Sequence, residues 1–366
     1  MSNDQGSPGL MRLLPEAIAR ERTFLAVLLG GFVLAAATYR TPHIAAWVGF
    51  AFAGYSAIAN DSIQTIGTFI TSNRKTPWWM LWLFTGGIFL ATVAYSFVVF
   101  DGDVSYQRLA SKGFETAPTE FSFLQVSAPL FLLILTRLRM PVSTTFLLLS
   151  SFATTAGSVG KVLSKSLTGY VLAFGIAIVV WMLASKAISR MLDNDKPHPA
   201  WRVGQWLTSG VLWSVWLQQD AANIAVYLPR SLSTGEFVVF AGAIFLGLGL
   251  LFRMGGDKVQ EIVDEKSAVV DVRAATIINL VYALILYYFK FESKVPMSTT
   301  WVFIGLLGGR ELAMSLRGAS ERRWTFAARM IGKDVLFAGI GLLVSVILAA
   351  AVNEPFRGEV FRLFGG

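Results

Sequence analysis

The sequence predicts an all-α polytopic membrane protein, built as inverted-topology repeats with about seven full spans and two re-entrant helical hairpins. Three observations predict it. Only 15% of the 366 residues are charged and 54% are hydrophobic, where a soluble chain would carry about 25% charged residues. Apolar runs of span length recur along the chain. Two short polar motifs each appear twice, in the same order and at nearly the same offset.

The spans follow from about 20 apolar residues being needed to cross a bilayer. Candidate spans are 23–39, 43–72, 77–100, 167–189, 203–229, 234–252 and 329–352. Two regions read differently. Stretches 119–136 and 142–157 are separated by Arg137, Arg139 and Pro141. Stretches 273–289 and 297–309 are separated by Lys290, Glu292, Lys294 and Pro296. The second arms hold 16 and 13 residues, too few to cross. Each pair therefore reads as a re-entrant hairpin, whose broken backbone must be enclosed by protein or line a wet cavity. The expected organisation is a leader and extra helix over 1–42, a first repeat over 43–200, a second over 201–352 and a tail over 353–366. Residues 10–22 suit an interfacial helix or a disordered leader equally. No cleavable signal peptide is read, because Arg-rich polar sequence precedes a full-length apolar run.

Charge orients these elements. With both hairpins returning to their own side and the N-terminus in the cytoplasm, 19 Lys and Arg fall on the cytoplasmic side and eight outside. That bias favours a cytoplasmic N-terminus and an outer C-terminus. The expected location is a bacterial inner (plasma) membrane. The Trp78, Trp79, Trp82 cluster fits an interfacial belt. The net charge of +8 is spread between apolar segments as topology signals, which excludes a nucleic-acid partner. With no Cys and two His, both in connecting loops (His43 and His198), thiol chemistry and a histidine–zinc centre are excluded. No Walker phosphate loop is present to support ATP drive.

The repeats carry the chemistry. ANDSIQTI at 59–66 answers to QQDAANIA at 218–225, and MPVSTT at 140–145 to VPMSTT at 295–300. Asp220 follows Asp61 by 159 positions, and Ser298 follows Ser143 by 155. Three spans plus one hairpin give each unit an odd number of crossings, so the second lies upside down relative to the first. An ionisable group in a span costs about 2.5–3.5 kcal/mol on insertion scales, so such a group usually faces the interior and works. Asp61 and Asp220 each have an amide one turn on, Gln64 and Asn223, on the same helix face. Carboxylate plus amide oxygens suit a small hard cation such as Na⁺, and a lone Asp could instead carry H⁺. Asn60 and Gln219 precede the aspartates and either add oxygens or cap a helix break.

The Pro-x-Ser-Thr-Thr runs read as helix starts, since Pro is tolerated where its missing N–H would be unpaired. Ser143, Thr144, Thr145 and Ser298, Thr299, Thr300 then offer hydroxyls beside free N–H groups, a ready anion site. One such run is most simply an N-cap; duplication at two hairpin tips favours a tetrahedral oxyanion. Arg137, Arg139, Lys294 and Arg310 either balance that anion or mark topology and snorkel at the rim.

These residues resemble the inorganic phosphate transporter family of Pit-type secondary carriers. That family repeats Asn-Asp-x-Ala-Asn and Pro-Val-Ser-Thr-Thr-His motifs in inverted repeats. Asn60–Asp61 with Gln64 matches the first motif, and Asp220-Ala221-Ala222-Asn223 its repeat. Pro141–Thr145 and Pro296–Thr300 match the second pair. The resemblance spans about residues 43–350, with identities confined to these four patches. Departures are Phe146 and Trp301 in place of His, and Gln64 and Gln219 in place of Asn. The resemblance implies cation-coupled phosphate import, with the Ser/Thr tips holding the anion and the Asp regions holding Na⁺ or H⁺.

The resulting expectation is a non-enzymatic symporter of phosphate, or of sulfate or another oxyanion, working by alternating access. Besides the coupling ion Na⁺ or H⁺ it needs no cofactor, and its partners are the anion and membrane lipid, with a homodimer left open. Two membrane aspartates also suit the dyad of an intramembrane aspartyl protease. The resemblance to such enzymes fails, because their Gly-x-Gly-Asp context surrounds neither Asp61 nor Asp220, and Gly255-Gly256-Asp257 sits in a polar loop.

Overall fold

A computed structural model describes residues 10–138, 140, 142–153, 155–192, 197–254, 271–292, 294–317 and 324–365. Arg139, Pro141 and the Gly255–Asp257 segment lie outside the described residues, as do the side chains of Asn60 and Gln64. The described chain is helical throughout its regular structure. Among the described residues, six helices are long and apolar enough to cross a membrane: Glu21–Thr38, Trp78–Val99, Gly157–Leu183, Thr234–Arg253, Val272–Glu292 and Ile331–Val352. The chain is therefore a membrane-embedded helical protein.

Helix α1 (Leu10–Thr38) is one continuous rod, so the region read as leader and the first span form a single helix. Segment 42–72 is helical but broken. Helix α2 (Pro42–Ser56) passes through a π-helical turn at Ala57–Asp61 into α3 (Ser62–Ser72). Pro42 stands in the first turn of α2, where it removes no bond. Helix α4 is Trp78–Val99. Trp78 and Trp79 are exposed, while Trp82 Nε1 donates to Phe245 O at 2.9 Å.

The region read as the first hairpin holds two helices of unequal length. Helix α5 (Phe123–Arg137) opens with a capping box, Ser122 Oγ accepting from Gln125 N and Gln125 Oε1 from Ser122 N. Helix α6 covers only Thr144–Leu149. The apolar run to 157 does not stay helical, because turns fill the stretch before α7 (Ala156–Leu192), a helix longer than the span expected at 167–189.

Helix α8 (Ala200–Ala225) and α9 (Thr234–Arg253) follow, α9 with its own Ser233–Glu236 capping box. The region read as the second hairpin holds α10 (Val272–Glu292) and α11 (Thr299–Leu316). Both outrun the expected arms, and α10 is long enough to span. Its extension carries Lys290, whose Nζ lies over the rings of Tyr106 and Phe291, and a cation in the last turn suits the helix dipole. Helix α12 is Trp324–Val352. The stretch read as a tail instead forms helix α13 (Glu354–Gly365), tied down by Asn353 donating to Ala153 O and by buried Phe356.

Two packing features position the site. Helices α7 and α11 touch backbone to backbone at Gly305 and Gly309. A Cβ there would fall 2.5 Å from Tyr170 O and 2.3 Å from Phe174 O, the close approach that small residues permit between membrane helices. Buried side chains also join α3 to α8 and α10. Thr68 Oγ1 donates to Asn279 Oδ1, and Asn279 Nδ2 to Ser209 Oγ, both at 2.8 Å. At the end of α3, the capping residue Asn73 donates through Nδ2 to Gln205 Oε1 at 2.8 Å, and Gln205 Nε2 donates to Ser72 Oγ at 2.6 Å. The segments bearing the two aspartates thus share one polar seam.

Candidate functional site

The site forms where the π-turn, α6, α8 and the start of α11 converge. Asp61 closes the π-turn and is buried. Asp220 lies in the last turns of α8 and is equally buried. Consecutive residues of α6 reach both. Thr144 Oγ1 donates to Asp61 Oδ1 at 2.8 Å. Thr145 Oγ1 lies 3.1 Å from Met297 O and 3.4 Å from Asp220 Oδ1, its one proton serving both acceptors. The two carboxyls are within electrostatic reach of one another.

Asn223 completes this group. Its Nδ2 donates to Asp220 Oδ1 at 2.8 Å and to Thr145 Oγ1 at 3.2 Å. That fixes the amide with Oδ1 as an acceptor. Asp220 Oδ2 and Asn223 Oδ1 are buried and make no hydrogen bond of good geometry among the described residues, with the Thr299 side chain beside the Asp220 carboxyl. A buried acceptor left so is costly, and two buried carboxylates within electrostatic reach of one another favour a cation or proton between them. The arrangement is chemically a cation- or proton-accepting cluster. An otherwise apolar cavity of about 20 Å³, the room of one water-sized sphere, touches Asp220 between α8 and α9.

The serines of the two runs have local tasks. Ser143 Oγ accepts from Phe146 N at 3.0 Å and Ser298 Oγ from Trp301 N at 3.2 Å, so both are N-caps. Ser298 N donates to Ser166 Oγ at 2.8 Å. Thr299 is framed by aromatics: Trp216 Nε1 donates to its Oγ1 at 3.2 Å and Tyr282 OH to its carbonyl at 2.9 Å. Thr300 is buried in the same first turn of α11. The two runs meet through the contact of Thr145 with Met297 O. Gln219 turns away, donating to Leu286 O at 3.2 Å.

The cations of uncertain role divide. Arg137 is an anchor for α1: its Nε donates to Glu21 Oε2 at 2.8 Å and its guanidinium covers the Phe24 ring. Lys294 donates to Gln107 Oε1. Arg310 faces its neighbour Glu311 at 3.9 Å within α11. His43, expected in a connecting loop, stands in the first turn of α2, and both it and His198 are exposed.

Sequence reasoning missed two cations. Arg108 and Lys165, counted as outer topology charges, are both buried. Lys165 Nζ donates to Phe289 O at 3.1 Å and Val295 O at 2.9 Å, tying the end of α10 to the connection that leads into α11, with Glu292 3.8 Å away. Arg108 Nε donates to Gln218 O at 3.3 Å and one terminal nitrogen to Lys290 O at 3.5 Å. Burial lowers the Arg108 guanidinium to about 10, and the nearby Asp220 carboxylate opposes that fall. The 100–122 connection shows no periodicity that would have revealed its buried side chains. Trp216 and Tyr282 were missed as well, since aromatics on apolar helices read as core.

No family model, no curated protein and no solved structure matches this chain.

Proposed function

We propose that the chain is a secondary active transporter that carries an inorganic oxyanion, phosphate foremost, in symport with Na⁺ or H⁺. The observation that carries the reading is the pair of adjacent hydroxyls, Thr144 and Thr145, lying against two buried carboxylates from different parts of the chain. A buried pair of this kind is stable when a cation or proton neutralises it, so its occupancy follows an ion gradient. Cation ligands are Asp61, Asp220 and Asn223, with Gln64 and Asn60 as further oxygens. The anion is held by the threonines of both runs beside the start of α11, where the helix dipole favours negative charge.

Duplicated motifs in equal order support inverted repeats and alternating access around this point. The repeats pair α2–α7 with α8–α12, in the orientation that leaves the N-terminus cytoplasmic. The sequence likeness to Pit-type carriers agrees with this reading. Reconstitution in proteoliposomes tests it: uptake of labelled phosphate is expected to need an inward Na⁺ or H⁺ gradient. Asp61→Asn and Asp220→Asn are each expected to abolish coupled uptake. Wild-type rates and coupling in either variant would overturn the mechanism. Uptake of sulfate in place of phosphate would move the substrate within the same class.

A further inference from the structure

Arg310 is buried without the bonds that a buried guanidinium needs. It stands in α11, eleven positions past Thr299 and well away from the start of the helix, and is 9% exposed. Arg108 and Arg273 are buried as well, and both are hydrogen-bonded, Arg108 to main-chain carbonyls and Arg273 to both oxygens of Asp271. Arg310 Nε, by contrast, has no hydrogen-bond partner among the described residues. The carboxylate beside it is Glu311, with Oε2 3.9 Å from Arg310 Nη1, beyond hydrogen-bond distance. A charge removed from water is costly until a counter-charge and well-made hydrogen bonds satisfy it. This guanidinium is short of acceptors.

Its place along the fold is also informative. Helix α7 begins beside the 100–122 connection, where Ser158 Oγ donates to Lys112 O at 2.7 Å. Helix α11 runs parallel to α7, because Gly305 lies against Tyr170 and Gly309 against Phe174, and Arg317 at its end donates to Met182 O. Arg310 therefore lies on the far side of the threonine cluster from that connection, about 16 Å along the helix from Thr299. Phe303, seven positions earlier, shares its face of α11. The Phe303 ring packs on Tyr282 with centroids 5.6 Å apart, and Tyr282 OH donates to Thr299 O. The face that carries Arg310 thus starts at the cluster and looks inward at α10.

We infer that Arg310 forms a second oxyanion site, at which an inorganic phosphate-like anion rests between the threonine cluster and the side of the protein away from the 100–122 connection. The planar guanidinium fork matches two oxygens of such an anion and supplies the bonds that Arg310 lacks. Glu311 is the competitor built in beside it. Its carboxylate balances the guanidinium when no anion is bound and repels the anion when one arrives, which keeps the site weak enough to release its occupant. A phospholipid headgroup offers the same phosphate chemistry, but a side chain buried on an inward face suits a small free anion. The inference rests on the transporter reading above and adds to it a second binding step.

The test uses the full chain in proteoliposomes with inorganic phosphate, and sulfate in a second arm. Because the sequence has no cysteine, Glu120→Cys on the exposed part of the connection lets an impermeant thiol reagent sort vesicles by orientation. Arg310→Gln is expected to raise the half-saturating phosphate concentration at least tenfold from the face opposite the connection and less than twofold from the connection face. Arg310→Lys should recover part of the loss. Glu311→Gln should act in the opposite sense, lowering that concentration at least threefold from the same face, which loss of a purely structural ion pair would not do. If Arg310→Gln does not accumulate as folded protein, Glu311→Gln carries the test. In maltoside micelles, inorganic phosphate should raise the unfolding midpoint of the wild type more than that of Arg310→Gln. Stabilisation through Arg310 by added phospholipid and not by inorganic phosphate would make a headgroup the ligand and overturn the inference. Unchanged half-saturation in both variants, or equal shifts from both faces, also overturns it and leaves the transporter reading standing. A wild type that moves neither anion under a Na⁺ or H⁺ gradient overturns the transporter reading, and the second site falls with it.

Discussion

Thr144 Oγ1 donates to Asp61 Oδ1 at 2.8 Å across 83 positions of sequence. This bond ties a residue expected to serve the anion to one expected to serve the cation. Replacing Thr144 by Val keeps the shape and deletes the hydroxyl. A hydrogen bond to a charged group is worth about 1.5–3 kcal/mol, so the cation concentration for half-maximal uptake should shift roughly 10- to 100-fold. Thr144→Ser should stay near wild type. A cation titration of uptake checks both, and an unshifted Val variant would remove Thr144 from the coupling.

The seam around Asn279 should be a stability element. Asn279 bonds Thr68 and Ser209 at once, so Asn279→Leu strands two buried hydroxyls. Membrane hydrogen bonds average about 0.6 kcal/mol each and reach about 1.7. A loss of about 1–3 kcal/mol is expected in unfolding from detergent micelles, partly recovered by adding Ser209→Ala. An unaltered unfolding midpoint for Asn279→Leu would mean that the seam contributes nothing.

The glycines of α11 and α7 should answer oppositely. Gly309→Ala places a methyl 2.3 Å from a backbone carbonyl that cannot rotate aside, and overpacking of that kind costs about 1–3 kcal/mol or more. At Gly175 an added methyl would meet nothing within 4 Å, so Gly175→Ala gains about 0.8–1 kcal/mol of helix propensity. Thermal unfolding of the two variants should move in opposite directions.

Arg137 and Glu21 should behave as a structural pair. Arg137→Glu alone should loosen α1 and expose it to limited proteolysis. Combining it with Glu21→Arg should restore protection. Their side chains are about a quarter exposed, so the effect on overall stability should stay within about 1 kcal/mol. Phosphate half-saturation should be unchanged, which marks the pair as structural.

Repetition made the centre of the site legible. Asp61, Asp220, Asn223 and the threonine runs stand out because each recurs, and the structure brings Asp61, Asp220, Asn223, Thr144 and Thr145 into one bonded cluster. What repetition could not show is who bonds to whom. The serines cap their own helices, a local choice that any Ser-Thr-Thr run leaves open. Arg108 was hidden because burial of a loop cation depends on the turn that aims it, not on hydrophobic period. The end of α10 was drawn too short because Lys290 and Glu292 look like stop signals, yet a helix terminus accommodates a cation well.

The π-turn at Ala57–Asp61 has no counterpart in α8, which runs unbroken through Asp220. The two aspartates are therefore sequence twins in unlike backbones. A wide turn holds one residue more than the α-spiral needs, and removing that surplus would swing Asp61 about 100° around the axis, one residue's share of a 3.6-residue turn. Asp220 has no such slack. An exchange of roles between the halves would thus be lopsided, with the Asp61 limb re-registering while the Asp220 limb serves as the stationary rail.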